Sequence, residues 1–376
     1  MPASNSPAMG RAGLNSRHKL KIGLFGANCS SGRAVTTVAE RWSGSWADCL
    51  ALAQLADAAG IDFVLPIGRW KGYGGATDYQ GATLETITWA AGLLAKTKRL
   101  NAFGTVHAPL IHPVVAAKAM VTADQIGEGR FGLNLVCGWN EDEFEMFGVT
   151  QRDHEARYAY AQEWLDAVKA MWSREDEFSF EGEFIRLRQV RAKPKPYGGT
   201  RPYVMNAGAS PTGQAFAIRN CDGIFISASL QALDSAAQSA RRVRDLAASQ
   251  NRALDIFTAG VITCRPSRKE AEDYERYCLS EQADWGAVDH ILAMKGITAA
   301  KHGPEEFQRL RANQAYGLGG MRLVGSPDDI ARDLAAVYAA GITGIGFSFV
   351  HYLKELPYFL DEVVPRLVRL GLREPA

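Results

Sequence analysis

The sequence predicts an α/β protein folded as a (β/α)8 TIM barrel with insertions on its C-terminal face. Short apolar segments, typical of buried parallel strands, alternate along the chain with longer segments that have helical apolar spacing. No glycine-rich nucleotide fingerprint follows the first predicted strand, which disfavours the alternative, a doubly wound open sheet. Barrels of this kind reach the length of this chain, 376 residues, as single domains.

Apolar runs predict the eight strands, at residues 21–27, 62–67, 100–106, 130–136, 202–206, 223–228, 256–263 and 344–350. The segments between them predict helices at residues 46–59, 84–95, 112–126, 155–172, 210–219 and 232–248, and further helices that begin at residues 267, 326 and about 357. The first helix stops at Gly60. Two later helices begin with a capping serine and a proline, Ser210-Pro211 and Ser326-Pro327, which suit a first helical turn.

Two stretches do not fit the simple repeat. Residues 173–200 predict a hairpin and a linker before the fifth strand, and residues 283–320 an extra polar, glycine-containing segment before the eighth strand-helix unit. Insertions on the C-terminal face of a barrel can form lids. Residues 1–18 are rich in Ser, Asn, Gly and Arg and lack an apolar core, so we expect a disordered leader there and a single domain over residues 19–376.

The composition excludes several classes of protein. Lys and Arg number 42 against 41 Asp and Glu, so a net charge of +1 predicts no binding to nucleic acid or to an anionic membrane. The six cysteines are scattered without a CxxC pair, which favours a cytoplasmic location, and the seven histidines lack metal-ligand spacing, so we predict no metal site. GxSxG, HExxH and P-loop motifs are absent, and Arg322 stands where the glycine-rich run from Gly317 would need its third fingerprint glycine.

The most informative segment covers the fourth predicted strand and the residues after it, 130–143. Asn134 lies in the middle of an apolar run, and the run ends in Gly138-Trp139-Asn140-Glu141. A buried amide needs hydrogen-bond partners, and polar residues at the C-terminal ends of barrel strands form active sites. A core strand followed by a surface turn would give the same pattern, so pattern alone leaves both interpretations open.

Several motifs resemble those of the bacterial luciferase-like flavin monooxygenases. The strongest match is residues 129–139 (GRFGLNLVCGW), followed by Glu143 and by Met146-Phe147-Gly148. Further matches are residues 123–126, 157–158, 206–210 and 323–327. The resemblance extends from about residue 20 to residue 370 and is nearest to the two-component, reduced-FMN-dependent branch, with its pyrimidine, dimethyl sulfone and alkanesulfonate monooxygenases. These motifs indicate the family and do not indicate a substrate.

The resemblance implies an FMN site formed by Gly68, Arg69, Asn134, Glu143, Arg157, Tyr158 and Ser210. The first four match positions around the flavin ring, and the last three match its ribityl-phosphate end. The sequence itself supports the phosphate end, because a helix that begins at Ser210 offers free N–H groups and a favourable dipole to an anion. The alternatives are a plain N-cap for Ser210 and a solvated helix-start acid for Glu143.

Three residues are candidates for the chemistry. Thr105 and Asn134 match residues that flank oxygen near flavin N5 in the pyrimidine enzyme, although a β-branched residue such as Thr105 is also common in strands. His107 departs from the family, which has an apolar residue there, and could contact the substrate or transfer a proton. Trp139 and Tyr73 are candidates for substrate-pocket walls, with core packing as the alternative.

The resemblance therefore implies an FMNH2-dependent monooxygenase that uses O2 and a flavin peroxide to insert one oxygen atom into a small organic molecule, with bond cleavage. The substrate would be a sulfone, an N-heterocycle or a haloaromatic compound. No nicotinamide motif is visible, so a separate NAD(P)H:flavin reductase would supply the FMNH2, and we expect a homo-oligomer. Two alternatives stay open: an F420-dependent oxidoreductase on the same barrel, and a non-catalytic flavin-binding protein.

Overall fold

The computed structural model describes residue 14 and residues 16–375, and its centre is a closed barrel of eight parallel strands. In barrel order these are β1 (Lys21–Phe25), β2 (Phe63–Leu65), β3 (Asn101–His107), β4 (Phe131–Val136), β7 (Tyr203–Asn206), β8 (Gly223–Phe225), β9 (Asp255–Cys264) and β11 (Gly344–Ser348), and β11 pairs again with β1. The predicted (β/α)8 barrel is confirmed. Four of the eight strands, β1, β2, β8 and β11, end two or three residues earlier than the apolar runs predict, because the last apolar residues turn into the loops at the barrel mouth.

Helices connect the strands. They are α1 (Trp46–Ala58), α2 (Thr86–Leu94), α3 (Pro113–Ile126), α4 (Glu141–Met146), α5 (His154–Ser173), α6 (Pro211–Asn220), α7 (Leu233–Ala248), α8 (Arg268–Arg276), α9 (Trp285–Met294), α10 (Ala299–His302), α11 (Pro304–Ala315), α12 (Pro327–Ala339), α13 (Tyr352–Tyr358) and α14 (Val364–Arg369). Ser210 and Ser326 cap α6 and α12 as predicted. Among the described residues, no helix combines the length and the apolar character needed to cross a bilayer.

The two insertions differ in how well the sequence predicts them. Strands β5 (Phe178–Glu181) and β6 (Arg186–Val190) form the expected antiparallel hairpin. The segment at residues 283–320 folds into α9, α10 and α11, and is followed by a strand that was not predicted, β10 (Met321–Gly325). Its five residues alternate between buried and less buried positions directly after a glycine-rich turn, which is too short a signal to separate a strand from a loop.

The start of the final helix was predicted wrongly. The final helical segment begins with α13 at Tyr352, not near residue 357, and continues through a π-helical turn at Phe359–Val363 into α14. The His351 side chain accepts a hydrogen bond from the Lys354 amide and so serves as the N-cap of α13. Pro357 therefore lies inside α13, although proline usually marks a helix start. Helix α4 was not predicted as a helix either, since its six residues are mostly acidic and lack an apolar periodicity.

Strand β9 is the longest in the barrel and has two partners in succession along one edge. Its start pairs with β8 up to Phe257, and its end pairs with β10 from Gly260 onwards. Its other edge pairs with β11 from Phe257 to Val261. Between the two partners, the Thr258 hydroxyl donates a hydrogen bond of 3.0 Å to the Ile226 carbonyl. The barrel wall therefore passes from β8 to β10 at Thr258 and Ala259.

Aromatic rings fill the barrel interior below the site. Phe63, Phe103 and Phe257 meet edge to face, with ring centres 5.9 Å and 5.6 Å apart. Glycines on neighbouring strands make room for the rings: a Cβ on Gly23 would lie 2.2 Å from the Phe63 ring, and one on Gly132 would lie 2.3 Å from the Phe103 ring. This floor closes the barrel and leaves only its C-terminal half open for ligands.

A buried ion pair closes the opposite, N-terminal end. Arg373 Nη1 lies 2.6 Å from Asp62 Oδ2, and both side chains are 2 % exposed. The Asp62 carboxylate also accepts hydrogen bonds from the Ile22 amide and the Ser16 hydroxyl, and Leu14 is buried in the aromatic cluster above. The predicted leader at residues 1–18 lies, apart from residues 14 and 16–18, outside the described residues.

We expect Arg373→Leu to lower the thermal midpoint by at least about 5 °C, because it leaves the Asp62 carboxylate buried without its cation. Adding Asp62→Asn removes that charge and should recover much of the loss. Scanning calorimetry checks this, with Arg369→Leu, the same change at an exposed position, as the control. Equal midpoints for the two single variants would refute a stabilising role for the pair.

Candidate active site

A cavity of about 490 Å3 lies at the C-terminal ends of β2, β3, β4 and β7. It is lined by all but one of the predicted site residues: Gly68, Arg69, Thr105, His107, Asn134, Arg157, Tyr158 and Ser210. Trp139 also lines the cavity. Tyr73 does not: it is buried below Arg69, as the core-packing interpretation of this residue predicts. The fold thus brings together residues that are up to 142 positions apart in the chain, from Gly68 to Ser210.

Thr105 and Asn134 form a directed hydrogen-bond chain on neighbouring strands. They are direct register partners on β3 and β4. The Pro66 carbonyl can only accept, so the Thr105 hydroxyl donates to it at 2.6 Å. The same hydroxyl then has to accept from Asn134 Nδ2, at 3.1 Å. This fixes the amide orientation and leaves Asn134 Oδ1 buried without a hydrogen-bond partner within the described chain.

Glu143 is the predicted site residue that does not line the cavity. It is 0 % exposed and lies behind the wall, where Oε1 accepts hydrogen bonds from Arg69 Nη1 at 2.7 Å and the Trp70 amide at 2.9 Å. Burial alone would raise the pKa of this carboxyl, but its contacts with His107, Arg69 and the Trp70 amide outweigh burial and lower the pKa to about 2. Glu143 is therefore ionised throughout the physiological range.

His107 stands between Glu143 and the cavity. Its Nδ1 lies 3.3 Å from Glu143 Oε2, so the carboxylate orients the ring. On the other side, a Cβ on Gly68 would lie 3.3 Å from His107 Nε2, which shows how closely the Gly68 backbone approaches this nitrogen. A carboxylate-oriented imidazole on a cavity wall can hold or transfer a proton.

The other end of the cavity has the features of an anion site. Ser210 caps α6, and its hydroxyl accepts from the Gly213 amide at 3.1 Å. Gly208 and Gly213 pack backbone to backbone there, since a Cβ on Gly208 would lie 2.6 Å from the Gly213 Cα. Arg157 Nη1 donates to the Gly138 carbonyl at 2.5 Å, and Arg157 has no acidic partner among the described residues. A helix N-terminus beside an unpaired guanidinium favours a phosphate.

Sequence reasoning missed several cavity residues. Arg33 and Phe25, from the end of β1 and its loop, line the cavity, as do Asn206 and Leu318. Arg33 follows a short Ser-Ser-Gly loop after the first strand, and that position on a barrel was the available signal. Leu318 offered no signal, because the extra segment that contains it has no counterpart in the simple strand-helix repeat.

Comparison with known proteins identifies the family. A model of the luciferase-like monooxygenases matches residues 20–344. The chain belongs to this family. The family predicted from the motifs is confirmed.

Two relatives of this luciferase-like monooxygenase align over nearly their whole lengths. The FMNH2-dependent dimethylsulfone monooxygenase of Pseudomonas fluorescens (strain Pf0-1) is 28% identical over 363 residues, which are 94% of this chain and 96% of the relative. The pyrimidine monooxygenase RutA of Allorhizobium ampelinum is 29% identical over 358 residues, which are 92% and 95% of the two chains.

Solved structures share the fold. A riboflavin lyase crystallised with modified FMN and riboflavin has a TM-score of 0.84 and 22% identity, over 95% of this chain and 93% of the other. An F420-dependent secondary alcohol dehydrogenase has a TM-score of 0.68 and 16% identity, over 93% and 99%. At these identities the likeness shows the barrel alone, so it does not separate a flavin enzyme from an F420 enzyme.

We expect Glu143→Gln to lower the thermal midpoint most above about pH 5 and progressively less as the pH falls towards 3. A carboxylate whose pKa is lowered by folding stabilises the protein fully above its unfolded-state value, about 4.3, and loses that contribution as the pH falls through its folded-state value. Midpoints measured from pH 7 to pH 3 check this, with the exposed Glu141→Gln as the matched control. A midpoint difference that does not change with pH would contradict the ionised carboxylate.

Proposed function

We propose that this luciferase-like monooxygenase is a two-component enzyme that uses FMNH2 and O2 to oxygenate a small organic substrate, with cleavage of a bond. Sulfones, N-heterocycles and haloaromatic compounds are the substrate classes. Both relatives named above are monooxygenases, and one is named as FMNH2-dependent. The observation that carries the proposal is the pairing, in one cavity, of a phosphate-type anion site with the buried, unpartnered oxygen of Asn134.

The phosphate end fits FMN. The proposed contacts are Ser210 at the start of α6, Arg157 and Tyr158, and burial raises the pKa of Tyr158, so its hydroxyl stays protonated and available as a donor. No Asp or Glu side chain of the described residues lines the cavity, so nothing there repels a phosphate. A volume of about 490 Å3 lies in the range of cofactor pockets, roughly 300–1,000 Å3.

The ring end fits the reduced flavin better than the oxidised one. Asn134 Oδ1 can only accept, because the chain through Thr105 to the Pro66 carbonyl fixes the amide. A reduced isoalloxazine ring carries an N–H at N5, whereas the oxidised ring has an acceptor there. An acceptor-only oxygen in a buried site therefore favours the reduced ring, since it would otherwise stay unsatisfied.

Each wall residue has a role in this proposal. When bound, FMNH2 supplies the electrons that activate O2. Asn134 and Thr105 orient the oxygen side of the cavity, and Trp139 shields it from water. His107, oriented by Glu143, holds or delivers a proton at Nε2. Glu143 acts through Arg69 and His107 as a positioning residue, and a direct flavin contact for it stays a prediction.

The partners follow from the same proposal. The protein takes FMNH2 from a separate NAD(P)H:flavin reductase and acts as a homo-oligomer. A cytoplasmic location is supported by the cysteines, all six of which are free and buried. Within the described residues no group of three or more His, Cys, Asp or Glu side chains is arranged for a metal ion.

Arg157→Ala should weaken FMNH2 binding by about 10-fold or more, the scale of one charge-assisted hydrogen bond, and should leave the affinity for reduced riboflavin nearly unchanged. The reason is that riboflavin lacks the phosphate that Arg157 contacts. Anaerobic titrations with both flavins check this. Equal losses for the two ligands, or tighter binding of F420 than of FMNH2 by the wild type, would contradict the assignment.

Asn134→Ala and Thr105→Val should lower the ratio of oxygenated product to hydrogen peroxide when a generic reductase supplies FMNH2, because both break the hydrogen-bond chain that faces the ring. The fold should persist, because the side-chain hydrogen bonds of Asn134 and Thr105 in the described structure are those that link Asn134, Thr105 and the Pro66 carbonyl. The bond from the Thr86 hydroxyl goes to the Thr105 backbone carbonyl, which both variants keep. The assay uses a panel of sulfones, pyrimidines, pyridines and chlorophenols, with thermal midpoints measured in parallel. Collapse of the midpoint with normal coupling would show a purely structural role, and no oxygenated product from any substrate would oppose the proposed function.

A further inference from the structure

A second, smaller cavity adjoins the first on the far side of Asn134. Its volume is about 220 Å3, and it lies where the barrel wall passes from β8 to β10. The two cavities share Phe25, Arg33, Asn134, Ala207, Ala209 and Leu318. Most of the remaining lining is apolar, with Leu65, Phe225, Ile226 and Met321 among it. An apolar cavity of roughly 150 Å3 accommodates a benzene ring, so this one suits a single ring with a substituent.

Arg33 is the charged residue of this second cavity. Its side chain is 5 % exposed and packs on Gly26, with the guanidinium carbon 4.6 Å from the centre of the Phe25 ring. Nη2 donates a hydrogen bond of 2.5 Å to the Gly317 carbonyl, whereas Nε and Nη1 have no hydrogen-bond partner among the residues that the structure describes. Burial lowers the pKa of Arg33, but a guanidinium keeps its charge at any pH that the protein tolerates.

The charges around the two cavities do not balance. Arg69 is neutralised by Glu143, and the proposed FMN phosphate would neutralise Arg157. Arg33 has no ion-pair partner among the described residues, and no Asp or Glu of the described chain lines the second cavity. The ionisable groups whose charges interact with Arg33 are the Tyr79 and Tyr352 phenols, which are neutral, and the Lys295 ammonium, which is a second cation and not a counter-charge. A buried cation without a counter-charge destabilises the folded protein unless an anion joins it.

We propose that Arg33 binds an anionic oxygen group of the substrate, so that the second cavity selects one-ring or short-chain organic anions, such as carboxylates, sulfonates and phenolates. The claim that the bound anion is oxygenated rests on the proposed function, whereas the claim that Arg33 binds the anion does not. β1 and β7 lie on opposite sides of the eight-stranded barrel, so Arg33 is placed across from the α6 anion site. The substrate's charge would be held at Arg33 while its ring lies in the apolar pocket toward Asn134.

The test compares benzenesulfonate with methyl phenyl sulfone, a neutral molecule with the same ring and sulfur. Calorimetric titration of the full chain without flavin should show benzenesulfonate binding at least 10-fold more tightly. Arg33→Met should reduce the benzenesulfonate affinity by about 10-fold or more and leave the sulfone affinity within threefold. Arg41→Met, in the same loop but outside both cavities, is the matched control and should change neither affinity.

Two further variants locate the anion. Arg157→Ala should leave benzenesulfonate binding unchanged, and Arg33→Met should leave the anaerobic FMNH2 affinity within threefold. Three results would each overturn the proposal. They are loss of benzenesulfonate binding in Arg157→Ala, loss of FMNH2 binding in Arg33→Met, and, in the wild type alone, equal affinities for benzenesulfonate and the sulfone. If benzenesulfonate binds through Arg33 but no panel substrate is oxygenated, the proposed function fails and the anion site stands.

Discussion

The ionised Glu143 carboxylate joins three parts of the barrel mouth that the chain keeps far apart. It holds Arg69 and Trp70 after β2, His107 at the end of β3, and its own helix α4 after β4. Without it, a guanidinium and an imidazole would share a wall with no counter-charge. Because Arg69 also lies over the rings of Tyr73 and Trp139, the position of the aromatic wall depends on the same carboxylate. The shape of the cavity is therefore set by a residue that does not line it.

The two ends of the site differ in the direction of their hydrogen bonds and in whether their charges have partners, more than in which residue types line them. A carbonyl that can only accept, at Pro66, determines which atom of Asn134 is left for a ligand. Arginines differ in the same way: Arg69 is balanced by the protein, whereas Arg33 and Arg157 are not. An arginine that lies in a cavity without a protein counter-charge indicates an anionic ligand, because burying the charge alone destabilises the protein.

The sequence predicted the barrel and most of the cavity, because strand periodicity and position at a strand end are local signals. Ser210 shows this well, since its capping serine-proline pair marks the helix start in the sequence and in the fold. The remainder depends on contacts that no local pattern encodes. Glu143 resembles a solvated helix-start acid until Arg69, 74 residues away, is seen beside it. Strand β10 and Leu318 could not be predicted because they belong to an insertion in the strand-helix repeat. The role of Arg33 could not be predicted because it follows from the lack of an acidic partner among the described residues.

The change of partners along β9 gives the barrel an uneven wall. At Thr258 and Ala259 the described chain forms no strand pair on this edge, and the Thr258 hydroxyl spans the interval to Ile226. Elsewhere around the cavity, widening the barrel would break a ladder of backbone hydrogen bonds. Here, among the described residues, the two strands are joined only by the Thr258 hydroxyl bond and by the hydrogen bond from the Ile226 amide to the Phe257 carbonyl, so the regular ladder is interrupted. The second cavity lies against this interval, so that part of its wall depends on a hydroxyl bond and on side-chain packing as well as on backbone ladders.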